Sequence, residues 1–221
     1  MKQYKVIITG TTGMVGEGVL LTCLADPEIS EVLSVSRKAT KLTHSKLKEY
    51  LVPNFLHLQS GDPALLGYDA CFFCAGISSV GMSEEKYTNI TYTITVHFAK
   101  ILAELHPHMV FTYVSGAGTD SSEKGRIMWA RVKGRTENTL IGLPFKKVYN
   151  FRPAFMKPVP GQQHTLALYT YLGWLFPVLK LIAPKMTSTL HQVGLAMIKC
   201  VTIGTEKSVL EVSDINQLAR A

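Results

Sequence analysis

Thr9-Gly10-Thr11-Thr12-Gly13-Met14-Val15-Gly16 closes an apolar run, Lys5–Thr9, and opens a helical stretch from about Val15 to Ala25. Each glycine has a physical task at this spacing. Gly10 permits a tight turn, Gly13 lets the backbone approach a pyrophosphate, and Gly16 allows close packing of helix on sheet. The helix start behind the turn presents unpaired N–H groups and a positive dipole end to phosphate. A strand, a glycine turn and a helix in this order predict a dinucleotide site that uses Gly10, Thr12, Gly13, Met14, Val15 and Gly16.

Outward from the turn, apolar runs alternate with segments of helical period. Further strands are expected at Glu31–Ser36, Phe55–Gln59, Ala70–Cys74, Met109–Ser115 and Lys147–Phe151, and helices at about Ser83–Leu105 and Arg126–Ile141. The rhythm predicts an α/β fold, a Rossmann-type doubly wound parallel sheet covered by helices on both faces. One domain is expected over residues 1–221, with its core in 1–152. A small, mostly helical C-terminal segment, 153–221, carries a late strand at Val209–Val212. Ligands in such sheets bind at the carboxyl ends of the strands, so this segment is the natural wall or lid of the site.

The end of the second strand bears on the cofactor. It reads Ser34-Val35-Ser36-Arg37-Lys38 and lacks the Asp or Glu that accepts from an NAD ribose. A guanidinium fork suits a 2′-phosphate, so Arg37 and Lys38 favour NADP(H) over NAD(H). The bland alternative is a pair of solvated loop cations. Asp62, in Gly61-Asp62-Pro63, either caps an adenine amino group or starts a turn.

These residues resemble the short-chain dehydrogenase/reductase superfamily in its atypical and extended NAD(P)-binding branch. The resemblance rests on the glycine turn, Cys74-Ala75-Gly76, Val114-Ser115-Gly116 and Arg152-Pro153-Ala154, in family order over about two thirds of the chain. Within that branch the chain looks most similar to the NmrA-like and Tat-interacting-protein-like group and to sugar-nucleotide epimerase relatives. The resemblance implies cofactor contacts at Ala75, Gly76, Lys133 and Pro153, and catalytic roles for Ser115, Lys133 and a tyrosine four residues before that lysine. Trp129 stands at the tyrosine position. An indole N–H donates a hydrogen bond but offers no acid–base step near neutral pH. Two functions stay open. One is an NADP-dependent reductase or epimerase-like oxidoreductase acting on a small carbonyl or sugar-nucleotide substrate, with Tyr87, Tyr92 or water as the acid. The other is a non-catalytic NADP(H)-responsive binding or regulatory protein.

Composition narrows the partners. The formal charge of +7 comes from scattered Lys and Arg with no dense basic stripe, so nucleic acid is not an expected partner. No metal-ligand spacing joins the histidines. Cys71 and Cys74 fall within one strand and point to opposite faces, so buried free thiols are expected rather than a metal or redox pair. Free thiols and the lack of a secretory leader suggest the cytoplasm. Residues 166–183, LALYTYLGWLFPVLKLIA, approach the length of a membrane span but are broken by Gly173, Pro177 and Lys180. A pocket wall or core, a homodimer surface and a weak membrane-surface contact are the alternatives for this stretch.

Overall fold

The computed structural model describes residues 2–165, 183 and 186–221. Among them, seven parallel strands form one sheet in the order β3-β2-β1-β4-β5-β6-β9. These are β1 (Tyr4–Thr9), β2 (Ile29–Ser36), β3 (Leu47–Leu51), β4 (Ala70–Phe73), β5 (Val110–Val114), β6 (Lys147–Arg152) and β9 (Val209–Glu211). The order reverses direction beside β1, between β1 and β4, and leaves a crevice at the carboxyl ends of those strands.

Alternation along each strand builds two core layers. Val6 and Ile8 of β1 and Phe72 of β4 face one layer, with Val19 and Leu20 of α1 (Met14–Ala25). Ile7, Cys71 and Phe73 face the other, packed on Phe98 and Leu102 of α3 (Ile94–Leu105) and Leu140 of α4 (Met128–Ile141). The first layer is completed by Leu190, Val193 and Met197 of α5 (Leu190–Thr202) and Ile215 of α6 (Val212–Leu218). Gly18 and Gly194 let α1 and α5 meet closely: a Cβ on Gly18 would lie 2.8 Å from Leu190, and one on Gly194 2.7 Å from Thr22. All four cysteines are free, with Cys71 and Cys74 serving opposite layers as the alternation requires.

Two expected elements differ. The third strand is Leu47–Leu51, not Phe55–Gln59. It is an edge strand with both faces largely in water, so Lys48, Glu49 and Tyr50 give it no apolar signature. Phe55–His57 is instead a single 3₁₀ turn, started by Asn54, whose side chain accepts from the Leu56 N–H. The helix expected over 83–105 is α2 (Glu84–Thr88), a π-helical turn at Asn89–Thr93, and α3.

A second, two-stranded parallel sheet joins β7 (Phe155–Lys157) to β8 (Thr187–Thr189) within the C-terminal segment. No described helix is long and apolar enough to cross a membrane. The aromatic stretch 166–182 lies outside the described residues.

Candidate cofactor-binding site

A cleft of about 550 Å³ opens at the carboxyl ends of β1, β2, β4 and β5. Gly10, Thr12, Gly13, Met14 and Val15 form its floor, Arg37 its outer rim, Ala75 and Gly76 one wall, and Ser115, Lys133 and Pro153 the far end. The turn is shaped by two glycines that admit nothing larger. Gly10 has φ +71°, and a Cβ there would sit 2.7 Å from Ala75 Cα; a Cβ on Gly16 would sit 2.2 Å from the Gly10 carbonyl oxygen. Gly16 therefore lies behind the floor and sets its shape. A Cβ on Gly13 would meet only the Gly10 oxygen, at 3.4 Å, and Gly13 caps α1 with no side-chain hydrogen bond. The α1 N-terminus thus turns uncapped N–H groups toward the cleft.

Three expected residues stand apart from this cleft. Lys38 is exposed and does not line it; its carbonyl oxygen accepts from Ser36 Oγ at 2.7 Å. Asp62 starts a turn: it accepts from the Ala64 N–H at 2.9 Å and the Tyr50 hydroxyl at 2.6 Å, beside a separate depression of about 350 Å³. Trp129, half-buried, does not line the cleft either; its ring lies over Gly118, 3.7 Å from where a Cβ would be. Tyr87 is buried in the core, and Tyr92 stacks under Arg135 at 4.4 Å. Neither lines the cleft.

The far end carries a polar network that sequence reading did not find. Ser115 Oγ donates to Glu137 Oε1 at 2.5 Å, and Arg152 grips the same carboxylate through Nε at 3.0 Å and Nη2 at 2.5 Å. Glu137 is fully buried. It follows Lys133 by one helical turn, so the helix aims both toward β5 and β6. Lys133 Nζ donates to the Ser115 carbonyl oxygen. Burial pushes the Lys133 pKa down to about 8, and the Glu137 charge partly opposes the shift. Phe55, Ile77, Ser78 and Met156 also line the cleft. A spacing signal existed for Glu137 alone, four residues after Lys133, but a helical Glu in sequence reads as surface charge.

No family model matches the chain. It is 25% identical over 162 residues to the mitochondrial protein FMP52 of Chaetomium globosum, covering 71% of this chain and 69% of that one. It is 27% identical over 158 residues to the mitochondrial protein fmp52-1 of Aspergillus terreus, covering 68% and 66%. The chain is similar to the FMP52 proteins. Its fold matches the Bordetella bronchiseptica enzyme WbmF solved with NAD+ (TM-score 0.65, 15% identity, 99% of this chain, 77% of that one). It also matches the Helicobacter pylori ADP-L-glycero-D-manno-heptose-6-epimerase (0.65, 15%, 99% and 82%). A short chain dehydrogenase family protein of Francisella tularensis spans 95% of this chain and 96% of its own (0.65, 13%). The Rossmann-type fold read from the sequence is borne out, and the solved structures that share it include a short chain dehydrogenase family protein and an epimerase. The expected cytoplasmic location is not: the FMP52 relatives are mitochondrial by name. Free thiols speak against an oxidising compartment and do not choose among reducing ones.

Proposed function

We propose that the cleft binds NADP(H) and that the protein is a short-chain dehydrogenase/reductase-like cofactor-binding protein without the usual tyrosine proton relay. The observation that carries this is the uncapped α1 N-terminus at Gly13, framed by glycines in a cleft that Arg37 also lines. Gly10, Thr12, Gly13, Met14 and Val15 would hold the pyrophosphate on backbone N–H groups. Arg37 at the rim would take the 2′-phosphate; it has no hydrogen bond or ion pair of its own among the described residues. Lys133 would donate to the nicotinamide ribose. When bound, the nicotinamide supplies a hydride acceptor or donor.

Among the described residues, no tyrosine lines the far end of the cleft. Trp129 occupies the tyrosine position, and neither Tyr87 nor Tyr92 reaches the cleft. Binding without the standard chemistry is the better reading. Wild-type protein saturated with NADPH should consume none of it with a panel of aldehydes, ketones and sugar nucleotides. Turnover that survives Ser115→Ala and Lys133→Met would contradict the assignment of this site.

A further inference from the structure

Ser115 reaches the cleft with its hydroxyl proton already committed. Its Oγ lies 2.5 Å from Glu137 Oε1 and 3.1 Å from the Phe151 carbonyl oxygen. Both are acceptors, and a serine hydroxyl carries one proton. Glu137 is fixed as the acceptor because Arg152 holds both of its oxygens in a charge-assisted fork. What Ser115 Oγ has left for a ligand is a lone pair. Lys133 spends one N–H on the Ser115 carbonyl oxygen and keeps the others. The far end therefore presents one acceptor and one cationic donor side by side.

We propose that this end of the cleft selects a ligand hydroxyl over a ligand carbonyl. A hydroxyl donates to Ser115 Oγ and accepts from Lys133 at once. A carbonyl oxygen satisfies Lys133 alone and meets the Ser115 lone pair unfavourably. Glu137 is the positioning residue that fixes this polarity, since its grip on the serine proton makes Ser115 an acceptor. The inference rests on reading this cleft as the ligand site, but not on which dinucleotide fills it.

Matched fragments test it: cyclohexanol against cyclohexanone, followed by saturation-transfer NMR. Nucleotide-free protein is used first, then the dead-end pairs of alcohol with NADPH and ketone with NADP+, in which no turnover occurs. One hydrogen bond is worth about 0.5–1.5 kcal/mol, so wild type should favour the alcohol by roughly 2- to 12-fold. Ser115→Ala should lower the alcohol signal to the ketone level and leave the ketone unchanged. Glu137→Gln should bring the ratio toward one, whereas mere destabilisation would weaken both fragments together. Equal or better ketone binding in wild type overturns the proposal. So does a Ser115→Ala effect confined to the ketone, or an alcohol signal no higher than in Ser115→Ala. NADPH binding is scored separately by its fluorescence; its loss would count against the cofactor reading and leave the nucleotide-free fragment comparison standing.

Discussion

The Glu17 carboxylate holds His164 at two points, accepting from its backbone N–H at 2.6 Å and from its Nδ1 at 3.1 Å. It also accepts from the Gln163 N–H at 2.8 Å, while Gln162 Nε2 donates to the Met14 carbonyl oxygen at 2.5 Å. Glu17 sits in the first turn of α1 and is only 3% exposed. The start of the C-terminal segment is thereby pinned beside the turn that floors the cleft. Hydrogen bonds to a charged group contribute about 1.5–3 kcal/mol each, and the partners here are partly in water. Glu17→Ala should lower stability in urea by about 2–3 kcal/mol and speed limited proteolysis within residues 159–165. An unchanged midpoint and digestion pattern would show that the contact holds nothing.

Gly13 and Gly16, three residues apart, should respond differently to alanine. At Gly16 the new methyl would strike the Gly10 carbonyl oxygen at 2.2 Å, so the turn itself must open. Gly16→Ala should lose both stability and nucleotide binding. At Gly13 the nearest atom is 3.4 Å away, so the fold tolerates a methyl group that would enter the cleft where the phosphates are proposed to sit. Gly13→Ala should unfold within about 1 kcal/mol of wild type, as expected for a strain-free Gly-to-Ala change. Its NADPH affinity should nonetheless fall by at least tenfold. Calorimetry of unfolding and NADPH titration read the two effects separately.

These contrasts reflect what the sequence made legible. The β1–turn–α1 unit could be read because its glycines fall between an apolar strand and a helix, and each fills a distinct steric role. The third strand could not, because an edge strand exposed on both faces carries no apolar alternation, whereas Phe55-Leu56 imitated one. The β7–β8 pair is too short for any period to show. Glu137 and Arg152 are ordinary charges in sequence, and only folding shows that each buries the other. Arg152-Pro153 was visible as part of a pattern, its partner was not.

That buried pair carries its own prediction. Arg152 grips Glu137 and also reaches Glu211 at 3.2 Å. Removing one partner of a buried pair strands the other charge, at a cost of about 3–5 kcal/mol. Arg152→Met should show that loss in chemical denaturation. The double variant Arg152→Met, Glu137→Leu should recover most of it. A single-variant loss under 1 kcal/mol would mean the pair is not buried in solution.

Lys133 gives the site a pH dependence. Burial holds its pKa at about 8, so it is an ammonium below that pH and a neutral amine above it. If that cation binds the cofactor, NADPH affinity should fall between pH 7 and 9 with a midpoint near 8 as the charge is lost. Lys133→Met should bind more weakly at pH 7 and show a flat profile. A wild-type profile that is flat from 7 to 9, or that rises, would remove Lys133 from the cofactor site.

If the glycine turn binds NADP(H), Arg37 is the residue expected to read the 2′-phosphate. Parallel titrations of wild type and Arg37→Ala with NADPH and NADH test it most directly. Wild type should bind NADPH more tightly than NADH, and Arg37→Ala should erase that difference by weakening NADPH while leaving NADH nearly untouched. Equal affinity of wild type for both dinucleotides, or equal weakening of both by the variant, would contradict the account.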